Sequence, residues 1–235
     1  MTFNIYVPTY KRSDTVMVHK LVEYCTYVVR ESEEQAYRDA GIENMWVVPD
    51  EKIDGFAMVQ NFLIENAPED VIAVLDDDIF RFCYNMEETE VVQDKETATA
   101  ELERWGQLLA DLDVGMCGCR VVITLPYGYI GEFNLQAMVG PVRLYNRKAI
   151  KSRYVRIPFF GDTDFVLQEL LSNRIILRPN YFGGDSLIEK NKGGMNIKRT
   201  KQIQEDSFNK YMKPKWGKYV SFNTKKNITI IHVNR

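Results

Sequence analysis

Long hydrophobic runs are missing from this 235-residue chain. No stretch of about 18 apolar residues occurs, so no membrane-spanning helix is expected. The opening, Met1-Thr-Phe-Asn-Ile-Tyr-Val-Pro8, has neither a basic n-region nor a long apolar core, which argues against a signal peptide. Cysteine is scarce: of Cys25, Cys83, Cys117 and Cys119 only the last two are close, as C-x-C. There is no C-x-x-C, and the two histidines form no cluster, so a zinc site is not expected. Free thiols in a reducing cytoplasm are the plain reading. No internal repeat and no linker rich in Pro, Gly or Ser divides the chain, which therefore reads as one domain over 1–235.

What is present is ordinary for a globular protein. With 45% hydrophobic and 27% charged residues, disorder, collagen and coiled coil are excluded. The length suffices to bury a full core without disulfide or metal staples. The net charge of −3 is unevenly spread. From Ser186 to Arg235 there are 12 Lys/Arg against 3 Asp/Glu, a charge of +9, whereas the first 185 residues carry 18 against 30, a charge of −12. Such a tail suits an anionic partner, although a solvated mixed surface gives the same count.

The first half of the chain alternates strand and helix. Phe3–Pro8 is a short β-rich run stopped by its proline. Ser13 and Asp14 are N-cap candidates for a helix reaching about Asp39, on which Val16, Leu21, Val22, Tyr24, Cys25 and Val28 recur at helical spacing, ended by Gly41. Met45–Val48 reads as the next strand, closed by Pro49-Asp50. Asp54-Gly55 opens a helix carrying Met58, Phe62 and Leu63, which stops near Pro68. Val71–Leu75 is a buried strand followed directly by Asp76, Asp77 and Asp78. This order predicts an α/β fold with a mostly parallel sheet and helices on both faces. Further on, an acidic loop from Glu87 leads to a helix around Leu102–Leu112. Cys119–Leu125 and Ala137–Tyr145 look like strands, and Asp162–Leu171 like a helix. Gly183-Gly184 and Gly193-Gly194 bracket a basic loop, and Ile228–Val233 is a final strand. The chain divides on this pattern into a first half over 1–80, a second over 115–185 and a basic extension over 186–235.

The acidic triplet is the strongest chemical signal. Ligands of open α/β sheets bind beyond the carboxyl ends of the strands. Three adjacent carboxylates repel one another unless a cation offsets them, and oxygen donors in that number suit Mg²⁺ or Mn²⁺ held together with substrate phosphates. A single aspartate there would more simply be a helix cap.

Val7-Pro-Thr-Tyr-Lys-Arg12, Val47-Val48-Pro49-Asp50, Gly55-Phe-Ala-Met-Val-Gln-Asn61, Val74-Leu-Asp-Asp-Asp78 and Gly161-Asp162-Thr-Asp164-Phe follow one another in the order and spacing of the GT-A-fold glycosyltransferases. The chain resembles that family from Phe3 to about Leu171. Gln60 departs from the family's usual Arg, and Gly161 stands in place of a Glu. Together with Gly140-Pro-Val-Arg-Leu-Tyr-Asn146, these motifs look most like the phage TET-associated glycosyltransferases, DNA-modifying enzymes of a host cytoplasm. The resemblance implies a Rossmann-type GT-A sheet with residues 1–80 as the nucleotide-binding half and 115–185 as the acceptor-side half. It also implies a UDP-sugar donor, Mn²⁺ or Mg²⁺, and a hydroxymethylated pyrimidine, 5-hydroxymethylcytosine, in DNA as the acceptor.

Carried onto this sequence, the resemblance implies that Pro8, Thr9, Tyr10 and Arg12 line the base and ribose, that Asp50 accepts from the uracil N–H, and that Asn61 and Asp77 belong to the nucleotide-sugar site. Asp76 would meet the ribose or a metal-bound water, and Asp78 would ligate the metal, with His232 as a late ligand. A satisfied histidine on a strand is the competing reading of His232. Asp162 would be the general base, with Asp164 as the other candidate, although Asp164 also suits a helix cap. Lys190, Lys192, Lys198 and Arg199, around Gly193-Gly194, would meet donor phosphates or a DNA backbone. Trp216, Tyr211 and Tyr219 interleave with Lys210, Lys213, Lys215 and Lys218, a mixture that can stack bases. Tyr129 and Asp185 are candidates for the acceptor side.

Three other functions compete. A transferase of the same fold could act on a glycan, lipid or protein. A nucleotidyltransferase also needs carboxylates and Mg²⁺, but its glycine-rich phosphate loop is missing between Pro8 and Asp14. A non-catalytic DNA-binding module would use the triplet only structurally.

Overall fold

The computed structural model describes residues 1–119, 131–187 and 200–233. Its central sheet is built from β1 (Phe3–Pro8), β2 (Thr26–Arg30), β3 (Met45–Val48), β4 (Val71–Leu75), β7 (Met116–Cys119) and β9 (Val142–Asn146), in the order β3-β2-β1-β4-β9-β7. The four strands from β3 to β4 are mutually parallel, and β9 and β7 extend the sheet antiparallel. β4 is buried along its whole length, and its side chains alternate between two cores. Val71, Ala73 and Leu75 join Ile5, Val7, Trp105 and Leu109 on one face, while Ile72 and Val74 join Tyr6, Leu63, Phe165 and Val166 on the other. This period of two explains why the central strand is an unbroken apolar run.

Helices cover both faces. α1 (Glu34–Asp39) and α3 (Lys95–Asp111) lie on the first face, with Tyr37 and Trp105 buried there. α2 (Phe56–Asn66) and α4 (Gly161–Ser172) lie on the second. α2 begins after Gly55, whose φ of 100° is a conformation that side chains resist. α3 is capped by the Asp94 carboxylate, which accepts the Thr97 N–H at 2.7 Å.

A second sheet, β11 (Phe182–Ser186), β5 (Ile79–Asn85) and β6 (Thr89–Val91), leaves directly from the end of β4. Two short strands, β8 (Phe133–Asn134) and β10 (Arg178–Pro179), pair beside it in sequence. The last described segment is α5 (Lys201–Ser207), a π-turn over Phe208–Met212, α6 (Lys213–Trp216) and the hairpin β12 (Val220–Asn223)–β13 (Ile228–Ile231). Its Phe208, Met212 and Val220 form a third cluster with Leu167 of α4. No helix among the described residues is long and apolar enough to cross a membrane.

Several sequence expectations need correction. The helix expected from Ser13 to Asp39 is instead a loop with a 3₁₀ turn at Val18–Lys20, then β2, then α1. Val16, Val18, Val22 and Cys25 mimic helical spacing because the loop buries them in the first core, whereas Thr26-Tyr-Val-Val is made of β-branched and aromatic residues and pairs with β1 and β3. α3 starts at Lys95, well before Leu102. Gly183 and Gly184 lie inside β11, where an added Cβ on Gly184 would press on Val142 at 3.2 Å. All four cysteines are free and buried.

Candidate functional site

The parallel order of β3, β2, β1 and β4 aligns their carboxyl ends along one edge of the sheet. Because β1 and β4 are neighbours, Thr9 and the acidic triplet meet there although 68 residues separate Thr9 from Asp77. The Thr9 hydroxyl donates to Asp77 Oδ2 at 2.7 Å and pairs with the Tyr37 hydroxyl at 2.8 Å. Lys11 adopts a left-handed φ of 56°, and the chain then turns so that Arg12 Nη1 reaches Asp77 Oδ1 at 2.5 Å and Asp78 Oδ2 at 3.7 Å. Burial pushes the Asp77 carboxyl above its ordinary range, while Arg12 and Thr9 work against that shift.

Asp76 faces the other way. Arg143, on β9, donates from Nη1 to Asp76 Oδ1 at 2.8 Å, and its guanidinium lies 5.1 Å from the centre of the Phe56 ring. Its Nε is buried and makes no hydrogen bond among the described residues. The three aspartate side chains differ in exposure: 38% for Asp76, 8% for Asp77 and 17% for Asp78. Asp77 is therefore an internal brace, and Asp76 and Asp78 are the carboxylates that solvent reaches.

Further along the same edge, the Arg30 guanidinium stacks 4.2 Å from the Tyr10 ring centre. Asp50, after β3, accepts from the Ser32 hydroxyl and N–H, which hold its carboxyl below the usual range. Asn61 on α2 brackets the backbone of Tyr154, accepting its N–H at 2.9 Å and donating to its carbonyl at 2.8 Å. Gln60 accepts from the Tyr145 hydroxyl at 3.0 Å, and Tyr145 pairs in turn with the Tyr154 hydroxyl at 2.7 Å. Burial pushes the Tyr154 phenol up to about 12, against Arg143 and Tyr145, and both Asp162 and Asp76 add to the rise.

Asp162 and Asp164 sit in the first turn of α4 and have different surroundings. Asp162 is half-buried and accepts the Thr163 N–H at 2.8 Å. Asp164 is 2% exposed and surrounded by donors: Trp216 Nε1 at 2.7 Å, Lys215 Nζ at 2.7 Å and Gln168 Nε2 at 2.6 Å. Trp216 and Lys215, expected among the base-stacking residues, are engaged there. Tyr211 and Tyr219 each carry a neighbouring lysine over the ring, at 5.3 and 5.5 Å. Asp185 is buried against Arg81 at 2.7 Å. His232 lies on the exposed end of the hairpin, its Nε2 2.7 Å from the Ser221 hydroxyl. Lys190, Lys192, Lys198, Arg199 and Tyr129 lie outside the described residues.

Among the described residues, no three His, Cys, Asp or Glu side chains come together as a ready metal cage, so His232 is not gathered with Asp76 and Asp78. The two accessible carboxylates nonetheless fit a Mg²⁺ or Mn²⁺ ion of the kind that takes one or two protein oxygens and completes its shell with phosphates and water. Sequence reasoning did not single out Tyr37, Tyr154 or Arg143. Of these only Arg143 carried a local signal, a lone charge inside an apolar strand.

No protein-family model and no curated protein sequence matches this chain. Solved structures do resemble it. Residues 1–349 of S. aureus TarS in complex with UDP-GlcNAc share 14% identity and a TM-score of 0.52, over 88% of this chain and 65% of that one. The same fragment in complex with UDP gives 14% identity and a TM-score of 0.50, over 88% and 64%. Glucosyl-3-phosphoglycerate synthase from Mycobacterium tuberculosis, in complex with Mg²⁺ and UDP, gives 12% identity and a TM-score of 0.47, over 98% and 87%. The chain thus spans just under two thirds of the length of the TarS fragment. What it shares with TarS is the architecture: a mixed α/β domain with a mostly parallel central sheet, of the GT-A type.

Proposed function

We propose that this chain is a nucleotide-sugar-dependent glycosyltransferase. The observation that carries this reading is the placement of accessible Asp76 and Asp78 at the carboxyl end of β4. Carboxylates at a strand end suit a divalent ion with a diphosphate. The ledge of Tyr10, Arg30 and Asp50 suits a nucleoside: an aromatic face, a cation and a fixed acceptor. Asp78 and Asp76 would hold the ion, which when bound would supply positive charge beside the departing diphosphate.

The acceptor hydroxyl is a poor nucleophile near neutrality. In the proposed reaction its oxygen bonds to the anomeric carbon as the bond from that carbon to the UDP oxygen breaks. Asp162 takes the hydroxyl proton, and UDP leaves with the electron pair. Asp164 is not free for this work, because Lys215, Trp216 and Gln168 already occupy its oxygens. The motif resemblance and the basic extension support a hydroxymethylated pyrimidine in DNA as the acceptor. A phosphate backbone would meet the lysines, and the base would be flipped out for reaction.

The test is incubation with Mn²⁺, a panel of UDP-sugars and DNA containing 5-hydroxymethylcytosine, followed by mass analysis of the nucleosides. A hexose or pentose mass gain is expected, reduced by about 10²–10⁴-fold in Asp162→Asn. Absence of any gain, with transfer to a glycan, lipid or protein acceptor instead, removes the DNA acceptor. Absence of transfer from every donor to every acceptor removes the enzyme.

A further inference from the structure

Asp162 lies within the stretch 159–164, and four of the other five residues there are fastened to the last described segment, 200–233. The Ser207 hydroxyl bonds both the N–H and the carbonyl of Phe159, each at 3.2 Å. The Phe160 ring packs 5.9 Å from Phe222 and 6.5 Å from Phe208. The Thr163 and Thr229 hydroxyls pair at 3.0 Å, and Asp164 takes Lys215 and Trp216. Phe160 itself is left-handed, with φ 69° and ψ 20°, a conformation that a phenylalanine holds only when its surroundings impose it. Asp162 is thus carried by a strained turn whose neighbours are gripped from outside.

We propose that segment 200–233 is a splint that sets the position of Asp162, and that Asp164 is a positioning residue acting through the first turn of α4. The inference rests on the reading of Asp162 as the general base. A base must meet its proton within hydrogen-bond reach, and a displacement of about 1 Å can cost on the order of 100-fold in rate. Asp164 matches a fastening role in its burial, its full set of donors and its ties to Lys215 and Trp216 of α6, 51 and 52 residues further along the chain. The splint also packs as a unit, since Phe208, Met212 and Val220 share one apolar cluster with Leu167 of the same helix.

Three variants of the full chain test this: Lys215→Met, Trp216→Phe and the near-isosteric Thr229→Val, with Lys215→Arg as the conservative control. Hydrogen exchange is followed in peptides covering 157–166, alongside transfer kinetics. The amide of Asp164, which donates to the Phe160 carbonyl at 2.9 Å, is the reporter. Faster exchange confined to that stretch is expected, with kcat lowered about tenfold or more and the donor KM within about twofold. Lys215→Arg should restore both. Unchanged exchange in Lys215→Met and Trp216→Phe overturns the splint, as does faster exchange with wild-type kcat. If Asp162→Asn keeps full turnover, the base reading falls instead, and that result is separate from the exchange data.

Discussion

Asp77 accepts from Thr9 and Arg12 in a buried setting, while Asp78, one residue on, keeps a more open carboxylate at 3.7 Å from the same arginine. Replacing each with alanine should therefore have opposite signatures. Asp77→Ala removes the short partner of the partly buried Arg12 guanidinium and one of the two partners of the Thr9 hydroxyl, and should cost about 1–3 kcal/mol of stability in urea unfolding. Asp78→Ala should stay within about 1 kcal/mol of wild type and lose the Mn²⁺ bound in the presence of UDP, read by calorimetry. The triplet was visible in sequence because three charges behind five apolar residues have no ordinary structural use. The partition of roles among them was not, since Thr9 and Arg143 reach the triplet only through strand pairing. Asp164 makes the same point: its two main partners follow it by 51 and 52 residues.

At the scale of elements, β1, β3, β4, α2 and α4 were legible because each has one clear period and a punctuating Pro, Gly or Asp. β2 was hidden by a loop whose buried residues imitate a helical stripe. The antiparallel run of β9 and β7 was equally hidden, because apolar alternation carries no information on strand direction. These two strands approach closely at Gly118, which lies opposite Arg143. A Cβ there would run into the Val142 carbonyl and meet the Val139 side chain at 3.1 Å. Gly118→Ala should accordingly cost about 1–3 kcal/mol by forcing β7 from β9, and thermal unfolding would report it. Since Arg143 faces Gly118 from β9, the variant should also weaken the tie to Asp76.

For the whole molecule, part of the stability lost in acid belongs to hydrogen-bonded carboxylates, and Asp70 is the one among them whose partners lie far from it in sequence. Asp70 takes Lys148 and both the N–H and hydroxyl of Thr2, tying the amino-terminal strand to the turn after β9. These donors, Lys148 foremost, depress its pKa, and the Thr97 N–H does the same for Asp94. A carboxylate depressed in the folded state contributes stability that is complete above its unfolded value, near pH 4, and fades as the pH falls through the folded one. Asp70→Asn should therefore flatten the decline of the urea midpoint between about pH 5 and pH 2, while leaving its slope near neutrality unchanged. The uneven charge, −12 before Ser186 and +9 after it, was plain from composition. That the basic part also fastens α4 was not, because the contact depends on a fold in which residue 207 returns to residue 159.

The strand order has a consequence for synthesis. The β1 partner of β4 precedes it in the chain, but its other edge is closed by β9, whose residues emerge some 70 positions later. Until then Val71–Leu75 offers open backbone and apolar side chains to any passing chain, a recognised template for aggregation. Ribosome-bound intermediates of this length, and truncations ending between β5 and β9, are the species that would call on a chaperone.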